Sequence, residues 1–120
     1  MAKFVDDAGN EYTMILTGGI IEQWEAATGQ AALQCLMTGG GALLQIANSR
    51  VLAWIACKDQ LKEHGIKNQE DMRYRITTGS AVQSVATACV NAMTRYFSDE
   101  NDRPETEGAE ENPTPETGSA

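Results

Sequence analysis

The sequence predicts a mainly α-helical small domain, residues 1–97, that opens with an N-terminal β-hairpin and is followed by a disordered acidic C-terminal tail, residues 98–120. Three observations carry this prediction. An alternating stretch surrounds Asp7-Ala8-Gly9-Asn10, several capped segments with apolar residues three and four apart follow, and the composition changes abruptly after Phe97.

Phe4 to Leu16 reads as two short strands. Gly9 and Asn10 tolerate positive φ and Asp7 accepts local backbone hydrogen bonds, which suits a hairpin turn. Tyr12, Met14 and Leu16 alternate with Thr13 and Ile15. An isolated hairpin is marginal in water, so this one has to lie on an apolar surface, and any uncovered edge is a route to self-association.

Thr17 is placed as the N-cap of a first helix, with Ile20, Ile21 and Trp24 at helical spacing and Gly29 as its C-cap glycine. Gln30 to Met37 forms a second, short helix, and Thr38-Gly39-Gly40-Gly41 reads as a flexible hinge. A longer helix is expected from Leu43 to Glu63, ending at His64-Gly65. Asn68, with Asp71 three residues on, opens another helix in the manner of a capping box. The last helix has Ser80 as its expected N-cap. Val82, Val85, Ala86, Cys89, Val90, Met93, Tyr96 and Phe97 make a single apolar stripe along it.

Charge divides the chain. Asp and Glu number 17 against 9 Lys and Arg, a formal net charge of -8. Residues 98–120 hold eight acids and one base, so the segment carries -7 and the rest of the chain -1. All three prolines lie in that segment, which lacks the apolar side chains needed to offset the entropy of ordering it. An acidic balance argues against nucleic acid, whose phosphates need a basic footprint. No window of ~18 apolar residues spans a membrane, and the opening Met-Ala-Lys-Phe-Val-Asp-Asp is no secretory signal. Cys35, Cys57 and Cys89 are odd in number and widely spaced, which fits reduced thiols in a cytoplasm.

Catalytic motifs are missing. The Gly39-Gly40-Gly41 run precedes Ala42-Leu43-Leu44 and not the Lys-Ser/Thr of a phosphate loop. His64 has no metal-ligand partner in spacing, and a helix end is where its charge complements the dipole. Glu22 and Glu25 share a helical face beside Trp24 and read as solvated. The expectation is a non-enzyme without catalytic residues, metal, cofactor or small-molecule substrate, acting by binding proteins. Trp24 and Trp54 are the candidate partner-binding residues. Trp54 lies at the edge of its helix's apolar stripe, where it is either core or an interface anchor.

The order of parts supplies a further pointer. A hairpin leads into Leu16-Thr17-Gly18-Gly19-Ile20-Ile21-Glu22-Gln23-Trp24-Glu25-Ala26-Ala27-Thr28-Gly29, then helices, then a polar tail. This resembles the tail assembly chaperone family of long-tailed bacteriophages and gene transfer agents, in which a strand, a Leu-Thr-x-Gly-like turn and a Leu-Glu-x-x-Thr-Gly helix come in that order. Trp24 stands where that family has leucine. The resemblance covers residues 3–97 in organisation and Leu16–Gly29 in motif, and the triple glycine departs from the pattern. It implies a host-cytoplasmic protein that binds the tape measure protein and keeps it soluble while tail tube protein subunits assemble around it. Three other readings stay open: a structural tail or head-tail connector protein retained in the virion, a bacterial helical adaptor with an acidic arm, and an enzyme acting through Cys57 or Cys89.

Overall fold

A computed structural model describes residues 2–98. The expected acidic tail therefore lies outside the described residues, apart from Ser98. The chain is mainly helical with an N-terminal antiparallel hairpin, as the sequence predicts.

Strands β1 (Ala2–Val5) and β2 (Glu11–Met14) pair with Phe4 opposite Tyr12 and Lys3 opposite Thr13. Alternation puts Ala2, Phe4, Tyr12, Met14 and Leu16 in the core and turns Ile15 out to solvent. The Phe4 and Tyr12 rings stack across the strands at 5.0 Å. Asp6 organises the turn: its carboxylate accepts from the Ala8 and Asn10 backbone N–H groups, the Asn10 amide and the Tyr12 hydroxyl (2.7 Å). Burial opposes ionisation of Asp6, and these bonds outweigh it, holding the carboxyl below its ordinary range.

The hairpin lies between two long helices, α3 (Ile46–Glu63) along β2 and α5 (Gly79–Tyr96) along β1. Both of its edges meet side chains. Gln60 of α3 acts as a surrogate strand: its Oε1 accepts from Thr13 N–H (2.9 Å) and its Nε2 donates to Thr13 C=O (2.8 Å). The Cys57 thiol donates to the same carbonyl. On the other edge Val5 N–H donates to the Ser84 hydroxyl (3.1 Å). The helices thus fill edge positions that self-association through the hairpin would use.

The remaining helices are α1 (Gly18–Thr28), α2 (Ala32–Met37) and the one-turn α4 (Met72–Arg75). Thr17 caps α1, its hydroxyl accepting from Ile20 N–H, and Gly29 closes it at φ 74°. Glu25 reaches forward so that its carboxylate accepts from Ala32 N–H at the start of α2 (2.8 Å).

Four sequence expectations need correction. The triple glycine is no free hinge. Gly39 (φ 90°) and Gly40 close α2 in a Schellman motif, with Gly40 N–H donating to Cys35 C=O and Gly39 N–H to Leu36 C=O. The long helix starts at Ile46 and not Leu43, because a 3-10 turn (Gly41–Leu44) followed by extended Gln45 precedes it. That turn still sends Leu43 into the core. The capping-box helix is one turn shorter than expected. Asn68 accepts from Asp71 N–H and Asp71 from Lys67 N–H, which stabilises a turn, and α4 begins only at Met72.

The last correction concerns α5. Its N-cap is Thr78, whose hydroxyl accepts from Ala81 N–H, and Ser80 lies inside the helix. The buried stripe is rotated toward small residues: Ala81, Val85, Ala88, Cys89, Ala92 and Met93. Alanines let α5 approach β1 closely, while Val82, Val90 and Tyr96 are only half-buried and Phe97 is exposed. Asp7 locks this region to the hairpin. Its carboxylate accepts from the Thr77 hydroxyl (2.6 Å) and from the Thr77 and Thr78 N–H groups. Those bonds, the Thr77 hydroxyl first, lower its pKa to about 2.

Candidate functional site

The cysteine thiols are enclosed by the fold. Cys35, Cys57 and Cys89 are buried free thiols. Burial pushes Cys57 up to about 12, and burial followed by the neighbouring Cys57 pushes Cys89 up further. Thiols held protonated in this way are weak nucleophiles. His64 is exposed at the C-cap of α3, edge-on to the Tyr12 ring at 5.4 Å. Among the described residues no three His, Cys, Asp or Glu side chains gather as a metal site, and no helix is long and apolar enough to cross a membrane.

The two tryptophans expected to meet a partner part company. Trp24 has no exposed surface, packs between α1 and α3, and donates its indole N–H to Asn48 C=O (3.0 Å). A residue so enclosed cannot touch a partner while the fold holds, so Trp24 is a core anchor. Trp54 is half-buried against the core and keeps an outer face, with the Lys62 ammonium 6.0 Å from its ring centroid.

Sequence reasoning missed the most exposed apolar surface. Leu33 is 51% exposed, Met37 77%, Leu44 56% and Ile46 47%. Leu33 and Met37 are four residues apart on the outer face of α2. Leu44 and Ile46 flank the junction between the 3-10 turn and α3, and that turn packs against α2. The other exposed large apolar residues belong to other elements: Ile15 follows β2, Tyr74 lies between Arg73 and Arg75 in α4, and Phe97 follows α5.

No charged residue occurs from Ala26 to Ser49, so the immediate chain neighbours of the exposed apolar side chains are uncharged, and the Glu25 carboxylate lies at the start of α2. Clustered exposed apolar side chains of this kind mark association surfaces, and an unbranched Met adapts to varied partners. That uncharged run was the signal in the sequence. It contains more large apolar residues than a six-residue helix and one turn can hide.

A second feature is a cleft of about 200 Å³ lined by Ala47, Arg50, Val51, Gln69, Glu70 and Arg73. Arg50 donates from Nη2 to Ile76 C=O (3.2 Å), and its buried Nε has no hydrogen-bond partner. Against known proteins, no family model, no curated protein and no solved structure matches this chain.

Proposed function

We propose that this protein is a tail assembly chaperone of the long-tailed phage type, binding the tape measure protein and keeping it soluble in the host cytoplasm while tail tube protein assembles. It acts by binding and not by catalysis. The observation that carries the reading is the exposure of the apolar side chains Leu33, Met37, Leu44 and Ile46 in a stretch of chain without charged residues, which suits the apolar face of a long amphipathic helix. The Leu16–Gly29 strand-turn-helix sequence adds the family resemblance.

Two experiments test it. In the genome, a slippery heptamer near the end of the gene, an overlapping frame and then a very long helical reading frame are expected. Neighbours of ordinary metabolic function would overturn the reading. In co-expression, the full chain should hold the product of that long frame in the soluble fraction, and Leu33→Ser with Met37→Ser should lose this while keeping its thermal midpoint. Retention of the protein in purified particles would favour a structural virion component instead.

A further inference from the structure

Four of the eight basic residues that precede Ser98 fall along one strip of surface. Arg50, Trp54, Lys58 and Lys62 are spaced by four on α3. The row stays aligned across the helix's kink at Cys57, since the Lys62 ammonium still reaches the Trp54 ring. Arg73 faces Arg50 across the cleft.

These cations are weakly partnered. Arg73 meets Glu70 only at 3.9 Å, with both side chains largely exposed. Lys58 and Lys62 form no ion pair among the described residues, although Asp59 and Glu63 lie in the next row. The Arg50 guanidinium is pinned at one nitrogen to the Ile76 carbonyl. The result is a positive strip with an aromatic plane midway, on a body whose net charge is only -1.

We propose that the chain's own acidic segment, residues 99–120, docks along this strip, with carboxylates at Arg50, Arg73, Lys58 and Lys62 and backbone across Trp54. Charge complementarity is the first argument, because the segment carries -7. Reach is the second. The segment departs at Ser98, nine residues beyond Cys89, whose thiol donates to the Ser49 carbonyl (3.4 Å) beside Arg50. The seven helical residues after Cys89 rise ~10 Å, two more lead to Ser98, and 22 extended residues span up to ~70 Å. Tethering supplies an effective concentration of about millimolar order, so individually weak, salt-screened pairs suffice for occupancy. The proposal is independent of the chaperone reading.

A nitroxide on Thr106→Cys in the full chain tests it, since the three native thiols are buried. At about 0.01 M salt, with a Debye length of ~30 Å, the label should broaden the amide signals of Lys58, Lys62 and Arg73 and the Trp54 indole N–H. The amides of Leu33, Met37 and Leu44 should be broadened less. At about 1 M salt, or in the Lys58→Glu, Lys62→Glu, Arg73→Glu variant, the selective broadening should fall by half or more. Equal broadening of both regions, no response to salt, or no response to charge reversal would overturn the proposal. So would transfer of the effect to unlabelled chains in a mixed sample.

Discussion

Gln60 holds the outer edge of β2 through two hydrogen bonds to Thr13, and removing them has a calculable cost. Each intramolecular bond contributes about 0.5–1.5 kcal/mol net. Thr13 is only partly buried, so water replaces some of the loss in Gln60→Ala. The expected destabilisation is about 1–2 kcal/mol, a fall of roughly 5–12 °C in Tm for a domain of ~100 residues. Gln60→Glu has the same shape and separates bonding from packing. Its carboxylate still accepts from Thr13 N–H, but an oxygen then opposes the Thr13 carbonyl with no proton between them. It should be less stable than Gln60→Ala at pH 7. Protonation restores the donor, so its folded-state pKa is raised and the native state binds more protons; its deficit should shrink as pH falls through that raised value, with recovery complete below the ordinary glutamate value of about 4. Urea unfolding of parent and both variants at pH 7 and pH 4 checks this. The reasoning fails if Gln60→Ala lies within about 0.3 kcal/mol of the parent, or if Gln60→Glu shows the same deficit at both pH values.

Three further outcomes are expected. Stability should fall at both pH extremes through the Asp6–Tyr12 pair. Asp6 and Asp7 have lowered folded-state pKa values, so their contribution is complete above about pH 4 and is lost as pH falls through those values, for Asp7 about 2. Tyr12 is raised by burial and then by its bond to Asp6, so its contribution is complete below about pH 10 and is lost above it; a stability profile flat from pH 9 to 12 would refute this. Trp24→Phe should cost about 2–3 kcal/mol, from the lost bond to Asn48 C=O and the volume removed, whereas Trp54→Ala should cost about 1 kcal/mol; equal urea midpoints would contradict the burial difference. The thiols should be inert to a disulfide reagent in the native state at pH 8 and react on unfolding, so fast native labelling of Cys57 would show that its environment is open.

The parts of the fold legible in the sequence are those where one residue type dictates local geometry. Thr17 and Gly29 bracket α1 because a hydroxyl and a left-handed glycine each satisfy orphan backbone groups. The alternation of Tyr12, Met14 and Leu16 fixes the inward face of the hairpin. What was hidden depends on contacts between distant residues. Thr78 displaces Ser80 as the cap of α5 because Asp7, 71 residues earlier, holds the Thr78 N–H. The stripe on α5 rotates toward Ala81, Ala88 and Ala92 because β1 lies close against it, a demand that side-chain hydrophobicity does not record. The candidate surface was hidden for a similar reason. Leu33, Met37, Leu44 and Ile46 look like core until the Schellman turn and the 3-10 turn leave them facing outward. Trp24 already falls in the apolar spacing of α1, and its complete burial takes it out of the partner-binding candidates.

The bond from Val5 to Ser84 joins positions 79 residues apart, and the Asp7 bonds to Thr77 and Thr78 span nearly as far. At about 5–20 residues per second of synthesis, β1 is made some 4–16 s before the helix that covers it. The first strand therefore waits, with Phe4 and its backbone edge uncovered, for the last helix to appear. Closure of the domain is then a single late event that pairs the earliest segment with the latest. A helical protein closed in this way should fold more slowly than its helix content implies, because the loop entropy of joining distant segments precedes the contacts that reward it.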